Sequence, residues 1–164
     1  MGYLLDSNII IYASKVENEY VREFIKLNSP FVSFVSVIEV MGFNFPKIEE
    51  KEFLEDFFQS AIIHLITNET IKKAVLLKQN KKIALGDSII AATAIENNLT
   101  LVTHNTKDFN WIENLSILDP IKEVTENIST WSSDYEYYVE QNEFFHKNAS
   151  DELKRKVEEY FELG

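Results

Sequence analysis

Four acidic residues lie where an apolar, strand-like run gives way to polar residues. Asp6 follows the run YLL, and Glu39 follows FVSFVSV. Asp87 stands near the start of the Ala-rich stretch LGDSIIAATAIENN, and Asp108 comes shortly after LTLVTHN. In a parallel α/β sheet, the carboxyl ends of the strands and the amino ends of the following helices share one edge, where ligand sites form. We therefore expect the four carboxylates to converge in one site.

A cluster of carboxylates needs a counter-charge, because like charges at one point repel and raise one another's pKa. The sequence has no cysteine and shows no paired histidines, and oxygen ligands alone favour Mg²⁺ or Mn²⁺ over zinc. Such ions commonly support phosphoryl chemistry by orienting a water and stabilising charge on phosphate oxygens. The four acids therefore predict a hard-cation site suited to phosphate chemistry.

Each acid alone also has a purely structural interpretation. Asp6 could form an Asx turn with Asn8, and Asp87 could be the N-cap of its helix, a position that Asp favours. Glu39 and Asp108 could simply face solvent. The shared position of all four residues is what points to a site.

The elements that would position these acids alternate between strands and helices along the chain. The pattern predicts strands at 3–5, 31–37, 62–66, 99–105 and 116–118, and helices at 21–27, 48–60, 69–79 and 85–98. The strand runs are almost continuously apolar, which is typical of a parallel sheet covered on both faces. The predicted fold is an α/β domain with a central parallel sheet flanked by helices. Glu39 is expected on the first turn of its helix, and Thr67 or Asn68 is expected to cap the 69–79 helix.

Composition narrows the class of protein. The chain has 164 residues, of which 45% are hydrophobic, enough for a substantial core. It begins without a basic leader and contains no apolar run near the ~18 residues of a membrane span. We therefore expect a cytoplasmic protein with no membrane segment. The net charge of -11 argues against a general nucleic-acid binder.

Three segments, YLLDSNIIIYA, SVIEV and LGDSIIAATAIENNLTLVTHNTKDF, stand in this order within residues 3–120. Together they resemble the PIN-domain ribonucleases, in particular the VapC-type toxins of bacterial toxin–antitoxin pairs. The resemblance implies a metal-dependent endoribonuclease that cuts structured RNA, often transfer or ribosomal RNA, by in-line attack of a metal-activated water. It also implies a small antitoxin protein as partner, and we expect a homodimer.

The resemblance also assigns roles to the acids. Asp6, Glu39 and Asp87 match the acidic positions that hold the catalytic metal, Mg²⁺ or Mn²⁺. Asp108 matches a fourth position that the family fills more variably. All four are therefore predicted to be both metal ligands and catalytic residues.

Further polar residues are predicted to support this site. Ser7 matches a small hydroxyl residue beside the first Asp, and Asn105 matches a polar residue near the metal. His104 stands where such proteins often have a basic residue and could touch phosphate, although a lone loop histidine commonly just faces water. Six lysines could form a basic rim for RNA, although the first three could equally belong to a solvated helix face: Lys72, Lys73, Lys78, Lys81, Lys82 and Lys107.

The last quarter of the chain departs from this resemblance. Residues 1–124 hold 12 basic and 17 acidic residues, whereas residues 125–164 hold 4 and 10 and include eight aromatic residues. We predict a PIN-like nuclease domain over 1–124 and an acidic, aromatic-rich helical extension over 125–164. The extension could pack on the domain or in a dimer, cover the catalytic edge, or dock another protein.

Two other functions compete with the ribonuclease. A phosphatase with a strand-end Asp as nucleophile would want a second Asp two residues on, and this position is Asn8. A non-catalytic PIN-like scaffold could bind RNA or protein without cutting. The presence of all four acids favours the nuclease.

Overall fold

The computed structural model describes residues 2–15 and 18–121, which form a five-stranded sheet covered by helices. The strands are β1 (Tyr3–Leu5), β2 (Phe31–Ser33), β3 (Ile62–His64), β4 (Thr100–Val102) and β5 (Ile117–Leu118). The helices are α1 (Ser7–Ala13), α2 (Glu19–Asn28), α3 (Phe34–Met41), α4 (Ile48–Ser60), α5 (Asn68–Asn80), α6 (Leu85–Glu96) and α7 (Thr106–Phe109). Every strand pairing is parallel, in the order β3-β2-β1-β4-β5. The predicted α/β class is confirmed.

The strand order creates a switch point in the middle of the sheet. The chain runs outward from β1 to β2 and β3, then returns to place β4 and β5 on the other side of β1. The end of β1 is tied to β4, because the Asp6 backbone N–H donates to the carbonyl of Val102 at 2.9 Å. Ligands of open α/β sheets bind in the crevice beyond the carboxyl ends of the strands at such a point.

Alternation within β1 gives the sheet two cores. Leu4 packs with Ile90 and Phe109 on the face covered by α5, α6 and α7. Leu5 points to the opposite face, since successive strand residues alternate, and packs with Ile9. All five side chains are fully buried. The two cores fix β1 in the centre and thereby fix the position of the residue that follows it.

The second strand is shorter than predicted. The strand prediction for 31–37 is wrong beyond Ser33, where α3 begins at Phe34. Ser36 and Val40, one helical turn apart, are the buried residues of α3, whereas the sequence FVSFVSV reads as alternation. The strands predicted at 62–66 and 99–105 likewise contain only three residues each.

The observed helix boundaries show that the predicted positions of two acids within their helices are wrong. Glu39 is the sixth residue of α3 rather than part of its first turn. Asp87 is the third residue of α6, whose N-cap is Ala84, so the N-cap interpretation of Asp87 is wrong. Thr67 caps α5 with its hydroxyl, as one of the two predicted alternatives had it.

The predicted helical extension over 125–164 lies outside the described residues, as does the proposed boundary at 124. No helix in the described part of the chain is both long and apolar enough to cross a membrane.

Candidate active site

Asp6 forms the buried floor of the site. It follows β1 at the switch point and is only 2% exposed. Its Oδ2 accepts a hydrogen bond from Thr103 Oγ1 at 2.8 Å, and no hydrogen bond joins Asp6 to Asn8 within the described residues. Burial raises the pKa of Asp6 from 3.8 to about 6, the Thr103 hydrogen bond opposes the rise, and the charges of Asp87 and Glu39 add to it.

Glu39 reaches the same site from α3. Its Oε2 accepts a hydrogen bond from Ser7 Oγ at 2.6 Å, so the predicted supporting residue Ser7 contacts Glu39. Gly86, on the first turn of α6, lies directly against this carboxylate, because a Cβ added at Gly86 would overlap Glu39 Oε1. A residue without a side chain is what lets α6 and Glu39 approach one another.

Asp87 and Asp108 complete the acidic group on the side of α6 and α7. Asp87 is half-buried and Asp108 is exposed. Burial raises the pKa of Asp87, and the negative charges of Glu39 and Asp108 raise it further. The carboxylate of Asp108 accepts a hydrogen bond from Asn105 Nδ2. Asp87 therefore interacts electrostatically with each of the other three acids at the carboxyl edge of the sheet.

In this structure, the carboxylates do not form a complete set of metal ligands. Among the described residues, no group of three or more His, Asp or Glu side chains is placed to hold a metal ion. Neutral donors hold three of the acids instead: Thr103 on Asp6, Ser7 on Glu39 and Asn105 on Asp108.

The chemistry of the donor set nevertheless fits a hard divalent cation. No Lys, Arg or His in the described parts of the chain forms an ion pair with any of the four acids. Their mutual repulsion is thus uncompensated, and it contributes to the raised pKa of Asp6 and Asp87. Oxygen ligands with excess negative charge are what Mg²⁺ and Mn²⁺ prefer in proteins.

An open cleft of about 340 Å³ adjoins the acids. It is lined by Lys81, Lys82, Ile83, Ala84, Asp87, Lys107, Asp108 and Trp111. The three lysines are exposed, and none forms an ion pair within residues 2–15 and 18–121. By contrast, Lys72 and Lys73 of α5 pair with Glu69. Three of the six lysines predicted as a basic rim for RNA, Lys81, Lys82 and Lys107, thus line the cleft beside two of the four acids, whereas Lys72, Lys73 and Lys78 do not.

His104 occupies a different position from these lysines. Its Nδ1 lies 3.1 Å from Asp119 Oδ2, and its ring packs edge-to-face on Tyr12 with the centroids 6.2 Å apart. It is not among the residues that line the cleft. The predicted phosphate contact of His104 therefore has no support from this arrangement.

Sequence reasoning missed three residues of the site: Thr103, Gly86 and Trp111. Thr103 could have been found from strand register, because Leu5 pairs with Val102 and the next residues are Asp6 and Thr103. Trp111 follows α7, and its Nε1 donates to the Asp108 carbonyl at 2.8 Å. No pattern in the sequence marked either Gly86 or Trp111.

Residues 3–115 match the family described as PIN domain, and the chain belongs to this family. It is similar to Ribonuclease VapC1 of Haemophilus influenzae strain R2866, at 31% identity over 131 residues that cover 73% of this chain and 98% of the relative. A toxin–antitoxin complex from Klebsiella pneumoniae contains a similar chain, with a TM-score of 0.61 and 28% identity over 73% of this chain and 98% of that one. VapBC2 from Rickettsia felis, bound to a DNA fragment from its promoter, gives a TM-score of 0.62 and 25% identity, over 72% and 98% of the two chains.

Proposed function

We propose that this protein is a PIN-domain endoribonuclease and the toxin of a toxin–antitoxin pair, neutralised by a cognate antitoxin. The observation that carries the proposal is the electrostatic interaction among four acids at the carboxyl edge of the sheet: Asp6, Glu39, Asp87 and Asp108. The relatives support both the nuclease activity and the toxin–antitoxin pairing. One relative is named a ribonuclease, and a structural neighbour is a toxin–antitoxin complex.

The cofactor we propose is Mg²⁺ or Mn²⁺, held by the carboxylates of Asp6, Glu39, Asp87 and Asp108. When bound, such an ion makes a water nucleophilic near neutral pH and stabilises negative charge on the phosphate oxygens. The reaction is hydrolysis of a phosphodiester, with no covalent bond to the enzyme. Support comes from the raised pKa of Asp6 and Asp87, to which burial contributes most and the uncompensated charges of the neighbouring acids add.

The neighbouring polar residues orient the acids in this proposal. Thr103 donates a hydrogen bond to Oδ2 of Asp6 and thereby fixes the orientation of this carboxylate. Ser7 and Asn105 do the same for Glu39 and Asp108. These neutral donors hold the carboxylates without neutralising them, so the charge that attracts a cation is retained.

The substrate we propose is structured RNA, with transfer or ribosomal RNA as the leading classes. A chain of net charge -11 repels RNA overall, so productive approach needs a local cationic surface. The exposed Lys81, Lys82 and Lys107 supply one beside Asp87 and Asp108. Their ammonium groups would hold the phosphates that flank the bond to be cut.

The decisive experiment incubates the purified chain with total RNA in Mg²⁺, Mn²⁺ or EDTA and sequences the new ends. We expect discrete cuts that require the metal and disappear in Asp6→Asn and in Asp87→Asn. Asp56→Asn is the matched control, since Asp56 is an exposed acid on α4. Full cleavage by both site variants, or equal cleavage in EDTA, would contradict the proposal.

A non-catalytic scaffold is the alternative, and the same experiment separates the two. RNA binding without any cut end in Mg²⁺ or Mn²⁺ would favour the scaffold. We also propose a homodimer, because α3 and α5 expose large apolar side chains: Phe34, Ile38, Ile71 and Val75. Light scattering of the purified chain measures the mass directly, and a monomer at micromolar concentration would contradict this part.

A further inference from the structure

The cleft contains an aromatic ring that hydrolysis itself does not need. Trp111 is partly buried and packs against the core cluster on the α6 side of the sheet. Its Nε1–H donates a hydrogen bond to the backbone carbonyl of Asp108. This hydrogen bond fixes the orientation of the ring. The ring also forms part of the cleft wall together with Asp87 and Asp108. A flat, immobilised surface therefore stands next to two of the proposed catalytic acids.

Cationic groups surround this ring. Lys81 Nζ lies over the Trp111 ring, 5.4 Å from its centroid, and Lys82 and Lys107 line the same cleft. A stacked nucleobase binds an aromatic ring more strongly than an exposed ammonium group does. A base can therefore take the place of Lys81 on the ring, and the long, flexible Lys81 side chain can then turn to a phosphate.

The size of the cleft limits what it can hold. At about 340 Å³, it lies at the small end of the range for ligand sites. This volume suits a single nucleotide rather than a base-paired helix. Bases inside a helix also cannot stack on a protein ring unless they leave their neighbours.

From these observations we infer that the cleft is a nucleotide subsite, in which one unpaired base of the RNA stacks on Trp111. Lys81, Lys82 and Lys107 contact the phosphates on either side of that base. This inference rests on the proposed ribonuclease function and deepens it. The substrate is RNA that presents an unstacked nucleotide, in a loop or bulge, next to the phosphodiester that is cut.

Tryptophan fluorescence tests the subsite directly. The chain has two tryptophans, so Trp131→Phe leaves Trp111 as the sole reporter. This variant is titrated in EDTA, where cleavage is blocked, with a mixed-sequence single-stranded RNA decamer and with the same decamer as a perfect duplex. We expect the single strand to quench Trp111 and the duplex to have little effect. No quenching by the single strand, or equal quenching by both, would overturn the inference.

Kinetics with the metal present give a second, independent readout. Trp111→Ala should raise KM for a loop-containing RNA by about tenfold or more, whereas Trp111→Phe retains a ring and should restore most of the affinity. Lys81→Ala should also raise KM, and Lys72→Ala is the matched control because Lys72 is exposed but lies outside the cleft. If Trp111→Ala fails to fold, the fluorescence titration and the KM of Trp111→Phe still test whether a base stacks on Trp111.

Failure of the subsite is distinguishable from failure of the ribonuclease function. A wild-type chain that cuts RNA while Trp111→Ala, still folded, cuts with unchanged KM would refute the subsite alone. A wild-type chain that binds the single strand and quenches Trp111 but never cuts would refute the nuclease and leave the nucleotide site standing.

Discussion

Asp6→Asn should make the metal-free protein more stable at neutral pH, although the same change abolishes the proposed activity. Asp6 is almost completely buried, and its raised pKa means that the folded state binds the proton more tightly than the unfolded chain does. Well below pH 3.8 Asp6 is protonated in both states, and its ionisation has no effect on stability. As the pH rises from 3.8 through about 6, wild-type stability falls, and above this window the full loss remains.

The size of the effect follows from the shift. A pKa that rises from 3.8 to about 6 corresponds to about 3 kcal/mol of unfolding free energy lost at pH 7.5. The Asn amide oxygen can still accept the hydrogen bond from Thr103, so the variant keeps this contact. For a chain of this length, about 3 kcal/mol is a Tm difference of roughly 6–12 °C.

Thermal unfolding in EDTA at pH 7.5 and at pH 4 measures the prediction. Asp6→Asn should melt higher than wild type at pH 7.5, and the difference should shrink to a small fraction of this at pH 4. Asp56→Asn controls for the general loss of one negative charge. Adding Mg²⁺ should then stabilise wild type more than Asp6→Asn, since a ligand that binds only the folded state raises stability. A variant no more stable than wild type at pH 7.5 would refute the reasoning about buried charge.

Two further predictions concern neighbours of the acids. Gly86→Ala places a Cβ against Glu39, so RNA cleavage should fall at least tenfold while circular dichroism still shows a folded protein; unchanged cleavage would contradict the close approach. His104→Ala should lower stability by less than about 1 kcal/mol, because the His104 side chain of its pair with Asp119 is 48% exposed. Its cleavage rate should stay near wild type, and a large loss of cleavage would place His104 in RNA binding after all.

Local sequence was sufficient for the class of fold and for the candidate acids. Apolar runs of strand length, separated by helical stretches, identify a parallel α/β sheet, because both faces of such a sheet are buried. Asp6, Asp87 and Asp108 each follow or adjoin one of these runs, so their edge of the sheet could be named in advance. Glu39 follows the run FVSFVSV and was named in the same way, and the resemblance to PIN-domain ribonucleases then assigned these acids to the catalytic metal.

Local sequence did not determine where the second strand ends. FVSFVSV alternates like a strand over seven residues, but only Phe31–Ser33 pairs with neighbouring strands. From Phe34 onward the chain instead forms a helix that buries Val40 in the apolar core. This choice depends on tertiary contacts, which override local propensity.

Only the tertiary structure decided how the acids are held and what lies beside them. Thr103 bonds to Asp6 across 97 positions of sequence, and Gly86 accommodates Glu39 from a different helix. Lys81 lies over the Trp111 ring in the cleft, and the local sequence around either residue does not predict this contact. Such contacts arise when distant segments converge at the switch point of the sheet, so no single stretch of sequence contains them.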